Sequence, residues 1–337
     1  LFSYFSFDKQ YMWLSGACLV VPAVVTIALD QAMAYTTAGQ TLERRLGLGE
    51  AATINILTMI GVGPFLTIPL LLQSMQGPQA MLGWLVGAAI AVADGMVWAE
   101  LGAAMPHSGG GYRFLLESWG PNGPGRLMSF LYVWSIVISS PLLFSSGAIG
   151  FSQYATYLHP SMTVWQTKSL AIFVCLVSTW LIYRRIDRVG RWGFVFAVPV
   201  LAAMLWIIAE GLFNARWERM ALPPNAFNMS GSFWYGLGGA TLYAMYDYQG
   251  YNTVCNVGGE VVRAAVTIPR SIAIAIALVA VFYLSMNFSI IGVMPWNEAA
   301  QSHYVASDFI ARLEGHSAAV FMTALILVTT LASLFGG

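Results

Sequence analysis

Residues 54–72 read INILTMIGVGPFLTIPLLL, and residues 232–258 read SFWYGLGGATLYAMYDYQGYNTVCNVG. Both have the length and apolar character of a membrane-spanning helix, about 20 residues for a hydrocarbon core of about 30 Å. Both are also interrupted. The first carries Gly61-Val62-Gly63-Pro64-Phe65 at its centre. Pro64 lacks an N–H and clashes with the preceding turn, and two glycines make non-helical backbone cheap. The second carries the polar run Tyr246-Asp247-Tyr248-Gln249-Gly250-Tyr251-Asn252. Unwound backbone at membrane depth survives only where it faces protein or a water-filled cavity. A matched pair of interrupted spans is therefore a pointer to a solute site. Freed amides at a half-helix N-terminus suit a carboxylate, and freed carbonyls suit an ammonium group. One site offering both fits an α-amino acid. A close-packing patch of small residues is the competing reading of Gly-Val-Gly alone.

The composition agrees with a lipid setting. Of 337 residues, 58% are hydrophobic and only 9% charged, against about a quarter charged in soluble domains. Fifteen Lys and Arg balance fifteen Asp and Glu, which leaves no basic surface for nucleic acid. Three Cys without metal-ligand spacing and four scattered His (His107, His159, His303, His316) exclude a zinc site and a disulfide scaffold. An intramembrane transferase would need an Asp-rich motif or a His/Asp pair at a membrane face, and none is present. A substrate sensor or channel on the same scaffold stays open.

Continuous apolar runs, without the alternation of a β-barrel, place spans at 54–72, 81–105, 127–154, 169–183, 192–213, 232–258 and 272–294, numbered 1 to 7. An eighth starts at Ala318 and runs into the chain end at Gly337. A further apolar run covers Met12–Leu29. Residues 1–37 are expected to form an N-terminal extension with an extra span, or a misassigned start ahead of Met33. Residues 38–337, with spans 1 to 7 and part of the eighth, are expected to form one partial domain, which the resemblance given below implies is that of a transporter. One set of loops carries Arg44, Arg45, Arg113, Arg126, Arg184, Arg185, Arg188, Arg191, Arg263 and Arg270, and the other only Lys168, Arg216, Arg219 and Arg312. This bias predicts that the Arg44/Arg45 segment is cytoplasmic, in a multi-pass protein of the plasma membrane. Trp296–Leu313 reads as an amphipathic segment across the outer mouth. Asn228-Met229-Ser230 is a sequon in an outer loop, too common a motif to argue for glycosylation.

Several stretches resemble the amino acid–polyamine–organocation superfamily. Gly61–Phe65 is similar to that family's Gly-Ser-Gly-Ile-Phe signature in helix 1. Ala99-Glu100-Leu101-Gly102-Ala103-Ala104-Met105-Pro106-His107-Ser108-Gly109-Gly110-Gly111-Tyr112 resembles its motif at the cytoplasmic end of helix 2. Gly250-Tyr251-Asn252, Gly259-Glu260-Val261 and Ile268-Pro269-Arg270 resemble its helix 6 and the loop that follows. The resemblance covers about Thr41 to Gly337. It implies an all-α integral membrane fold, an inverted repeat with broken helices 1 and 6, here truncated within helix 8, and a chain that does not transport as it stands. It implies secondary active transport or exchange of amino acids by alternating access, with a polyamine or other cationic substrate as the alternative. Amides of Gly61, Val62 and Gly63 would then meet the substrate carboxylate. Carbonyls around Met59, Ile60, Tyr246 and Gln249 would meet the α-amino group, with Gly250 and Asn252 completing the site and Tyr246 as an aromatic gate. Val62 stands where the family has Ser, and Pro64 where it has an apolar residue.

Ionisable residues inside spans are expensive and mark function. Asp247 is expected either to cap a second half-helix or to bind a cation or coupling proton. Glu100 is expected to pin the cytoplasmic turn Ser108–Gly111, and Glu210 to reach the outer interface. Asp94 also lies in span 2. Span 5 has no Lys of the kind some proton-driven relatives use. Thr329, Thr330 and Ser333 are the hydroxyls available for sodium, although membrane Thr and Ser commonly bond back to their own helix. No cofactor or metal is expected, and Na⁺ coupling, H⁺ coupling and uncoupled exchange all remain. Cys18, Cys175 and Cys255 lie in spans, so no disulfide-linked accessory subunit is expected. Small residues at Ser139, Ser140, Ser145, Ser146 and Gly147 leave room in span 3.

Overall fold

The computed structural model describes residues 43–183, 189–224 and 226–336. The expected extra span at Met12–Leu29, the start at Met33, Cys18, and Arg184, Arg185 and Arg188 lie outside the described residues. Span 1 is two helices, α1 (Leu48–Met59) and α2 (Gly63–Met75), bent by 52°. Span 2 is α3 (Met81–Ala104), followed by α4 (Gly110–Trp119). Spans 3 to 5 are α5 (Gly125–Leu158), α6 (Val164–Tyr183) and α7 (Val189–Asn214). Span 6 is α8 (Gly231–Tyr248), and span 7 is α9 (Ala264–Val293). Two short helices, α10 (Trp296–Gln301) and α11 (Val305–Glu314), lead into α12 (His316–Gly336). Among the described residues, Pro78–Ala104, Gly125–Leu158 and Ala264–Val293 are long and apolar enough to cross a bilayer, and the bent pair α1–α2 qualifies as a fourth span.

The sixth span needs correction. It is helical only to Tyr248, and residues expected to continue it form 3₁₀ turns at Thr253–Asn256 and Gly258–Glu260. Gly250 explains the stop. Its φ is +116°, and a Cβ there would lie 2.9 Å from the Thr58 carbonyl carbon of α1. The chain turns sharply because α1 lies in its path.

α3 packs along both α8 and α9, α2 packs on α8, and α1 packs on α9. Small residues on one face of α3 make this close approach possible. A Cβ at Gly83 would lie 2.6 Å from the Ala240 Cβ, and one at Gly87 2.9 Å from the Ala244 Cβ. Between membrane helices such contacts supply dispersion that larger side chains would prevent. α12 closes the bundle against α5 and α7.

At the Arg45 end, backbone bonds fasten the segment after α8 to two other places. Arg45 and Leu46 N–H donate to the Glu260 carbonyl at 2.9 and 3.0 Å, and Val262 N–H returns a bond to Leu46 at 2.9 Å. Gly109 N–H donates to the Asn256 carbonyl at 2.9 Å. The glycine run suits this docking, because a Cβ on Gly110 (φ +46°) would lie 2.2 Å from Asn256 Oδ1. Glu100, expected to pin this turn, is exposed and makes no hydrogen bond to it. The backbone at Asn256 and Val257 does that work instead. At the opposite end, Trp296–Leu313 divides into α10 and α11, tied to α2 by Gln73 Nε2 donating to the Ala300 carbonyl at 2.5 Å.

Gly83→Leu should drive α3 from α8 and lower stability by about 1–3 kcal/mol, read as a reduced thermal midpoint in detergent. Gly238→Ala, whose Cβ meets nothing within 4 Å, should leave the midpoint unchanged or slightly raised, as Ala favours helix over Gly.

Candidate functional site

The break in span 1 follows from its local sequence. Ile60 is extended (φ −84°, ψ 107°), and its N–H makes the last bond of α1, to the Ile56 carbonyl. Pro64 falls in the first turn of α2, where a missing N–H is harmless because no intrahelical acceptor awaits it. Pro64 therefore starts the second half-helix. Among the described residues, the N–H groups of Gly61 and Val62 have no hydrogen-bond acceptor, and they lie at the positive end of the α2 dipole.

The two breaks meet. A Cβ on Gly63 would lie 2.0 Å from Asp247 Oδ1 and 3.5 Å from the Tyr246 ring, so only glycine fits opposite this carboxyl. Asp247 is 3% exposed. Its Oδ2 accepts the Thr67 hydroxyl from one turn along α2, and its Oδ1 is buried without a hydrogen-bond partner. The expected capping role is not found. Asp247 lies within the last turn of α8, no second half-helix follows, and its partner is a hydroxyl of span 1.

The remaining candidates are dispersed. Tyr246 Oη shares a 2.5 Å hydrogen bond with Ser146 of α5, which turns Ser146 toward the second break. The Met59 carbonyl, expected to be free, accepts Tyr283 Oη at 2.8 Å. Gln249 is exposed and Asn252 half-buried at the turn, while Gly250 packs on α1. In α12, Thr329 and Thr330 hydroxyls donate to the Leu325 and Ile326 carbonyls of their own helix at 2.8 Å. Ser333 does approach the first break, since a Cβ on Gly61 would lie 2.7 Å from its Oγ. Glu100 is remote from this cluster. Asp94 accepts Tyr251 Oη at 2.5 Å, and Glu210 accepts Asn214 Nδ2 at 3.1 Å. No group of three His, Cys, Asp or Glu side chains suited to a metal ion occurs among the described residues.

Three residues of the site escape the sequence reading. Tyr283, fully buried in α9, donates to the Met59 carbonyl and lies 3.3 Å from the Asp247 carbonyl, so one hydroxyl spans both breaks. Its ring packs on Trp84 and Tyr248 at centroid distances of 5.0 and 5.5 Å. Tyr154 of α5 donates to the Phe65 carbonyl at 3.1 Å, and Thr67 holds Asp247. Each is one uncharged hydroxyl in a long apolar run, and such a residue perturbs hydropathy too little to be noticed.

Gly63→Ala should displace the Asp247 carboxyl, and Tyr283→Phe should strand two buried carbonyls, a loss of about 1–3 kcal/mol. Thermal midpoints in nanodiscs measure both. Adding Asp247→Ala should recover part of the Gly63→Ala loss but none of the Tyr283→Phe loss, because only the first is a clash with that carboxyl.

A family model described as amino acid permease matches residues 46–337. The Asc-type amino acid transporter 1 of Homo sapiens is 30% identical over 311 residues, covering 88% of this chain and 56% of that protein. The large neutral amino acids transporter small subunit 2 of Homo sapiens is 28% identical over 307 residues, covering 89% of this chain and 56% of that protein. The serine/threonine exchanger SteT of Bacillus subtilis (strain 168) is 27% identical over 259 residues, covering 76% of this chain and 57% of that protein. The chain thus spans about half the length of the curated relatives it matches. With its bent first span, all-helical fold and matched breaks, it belongs to the amino acid permease family, within the amino acid–polyamine–organocation superfamily of membrane transport proteins.

Proposed function

We propose that this chain is the substrate-holding part of a secondary transporter or exchanger of amino acids that works by alternating access. The observation that carries this reading is the meeting of the two breaks, Gly63 against Asp247, beside the unpaired N–H groups of Gly61 and Val62 at the start of α2. Those amides receive the substrate carboxylate. The carbonyls of Ile60, Tyr246 and Gln249 receive its ammonium group. Met59 contributes through Tyr283 instead, and Tyr246, latched to Ser146, is the aromatic gate. Of the named relatives, a large neutral amino acid transporter and a serine/threonine exchanger favour neutral amino acids.

Asp247 favours a second reading. A buried carboxyl with one oxygen unpartnered, next to the position proposed for the ammonium group, selects for a cationic substrate. Ser333 against Gly61 is the hydroxyl best situated for a coupling Na⁺, while Thr329 and Thr330 are engaged with their own helix. The Arg45, Arg113 and Arg263 neighbourhoods gather at one end of the bundle, which supports a cytoplasmic Arg44/Arg45 segment in a plasma-membrane protein. Cys175 lies within α6, and Cys255 is buried in the turn after α8, positions ill suited to a disulfide with an accessory subunit.

Counter-flow of labelled serine, leucine and lysine in proteoliposomes of the full-length protein tests the assignment, with Na⁺ and pH gradients varied separately. Exchange of a neutral amino acid is expected, and its absence for all three would refute the function. Asp247→Asn should lower uptake of lysine relative to serine by about tenfold, the loss of about 1.4 kcal/mol of charge recognition, or flatten the pH profile. An unchanged ratio and profile would remove Asp247 from recognition and leave the neutral reading.

A further inference from the structure

Far from the helix breaks, a pocket of about 530 Å³ opens at the end of the bundle opposite Arg45. Its lining includes Arg216, Arg219 and Arg312, together with Phe213, Asn214 and Val293, and no carboxylate lines it. Among the described residues, the loops at that end of the bundle carry only Lys168 besides these three. Three of these four cations therefore converge on one cavity, two from the segment after α7 and one from α11. Arg216 follows α7, Arg219 sits in the 3₁₀ turn Trp217–Met220, and Arg312 is near the end of α11.

The three arginines are differently committed. Arg219 Nη1 donates to the Val293 carbonyl, which fixes the guanidinium at the pocket wall. Arg312 Nη2 donates to Glu298 at 2.7 Å. Arg216 is held only through its backbone, its N–H donating to the Gly292 carbonyl at 2.9 Å, and its exposed guanidinium is free to meet a ligand. The nearby acids are otherwise placed. Glu210 accepts from Asn214, Glu314 accepts from Trp206, and Glu218 lies in the exposed 3₁₀ turn. The residues that line the cavity themselves carry three guanidinium groups, one of them paired with Glu298, and no carboxylate.

Depth supplies the rest of the argument. The pocket lies where α7 and α9 both end, at Asn214 and Val293. Phe213 at its rim is 88% exposed, and Trp217 beside it is 77% exposed. Exposed aromatics at the ends of spanning helices mark the headgroup layer. We propose that this pocket binds an anionic phosphoryl group, with Arg216 as its mobile ligand and Arg219 and Arg312 as fixed ones. Guanidinium forks match phosphate oxygens in pairs and hold them by charge-assisted bonds. Phospholipid headgroups and soluble phosphate share this chemistry, and the rim of Phe213 and Trp217 adds an apolar surface for an acyl chain. The inference does not depend on what the helix breaks bind.

Two probes test it on the full-length protein. Native mass spectrometry after release from phosphatidylcholine nanodiscs containing phosphatidylglycerol measures retained anionic lipid, and the thermal midpoint in detergent is followed while inorganic phosphate is titrated. Retained phosphatidylglycerol that falls about tenfold in Arg216→Glu supports the pocket with a lipid source. A phosphate-dependent rise in midpoint that Arg216→Glu abolishes supports it with a soluble source. Identical responses of wild type and Arg216→Glu to both probes overturn the proposal, as does a wild type that responds to neither. Should Arg216→Glu fail to fold, Arg216→Gln removes the charge at an exposed position, and the same outcomes apply.

Discussion

The structure depends on one constraint, that a peptide group at membrane depth must find a partner within the protein. Two helices that stop in mid-membrane release amides and carbonyls that lipid cannot satisfy, each worth several kcal/mol if left bare. The chain answers with hydroxyls borrowed from neighbouring spans. Tyr283 from α9 serves the Met59 carbonyl and approaches that of Asp247, Tyr154 from α5 serves Phe65, and Thr67 serves the Asp247 carboxyl. What these donors leave unserved are the amides of Gly61 and Val62.

The same donors explain why the helices around the breaks pack so closely. A tyrosine hydroxyl can span two carbonyls from different helices only if their backbones approach, and α3 allows that through Gly83 and Gly87 against Ala240 and Ala244. The aromatic group of Trp84, Tyr248 and Tyr283 then fills the space beneath the site. Polar satisfaction and tight packing are thus two views of one arrangement, with the glycines of α3 permitting it and Tyr283 exploiting it.

The sequence made the first break legible because glycine and proline act through the backbone, and their effect is local. The second break was legible only as a cluster of polar residues. Its far side was misjudged because Val254, Cys255 and Val257 look apolar enough to extend a helix, whereas Gly250 turns the chain away from α1, a contact with Thr58 far off in sequence. Glu100 misled for a related reason. A carboxylate beside a glycine-rich turn suggests a pin, yet the turn is held by peptide groups of 256–258. The facing of Ser146 and Ser333 needed the third dimension, since helical periodicity is uninformative where lipid and protein both present apolar surfaces.

The fastening of 260–262 to Leu46 bears on which substitutions this fold tolerates. Its bonds join peptide groups, so they demand a path for the chain and ask almost nothing of side-chain identity. The linkage between the start of the first span and the end of the sixth is therefore invisible to most substitutions. Side chains at 260–262 and at Leu46 can therefore change while the two broken spans stay joined at one end, a tie that depends on the path of the chain and hardly at all on the letters that spell it.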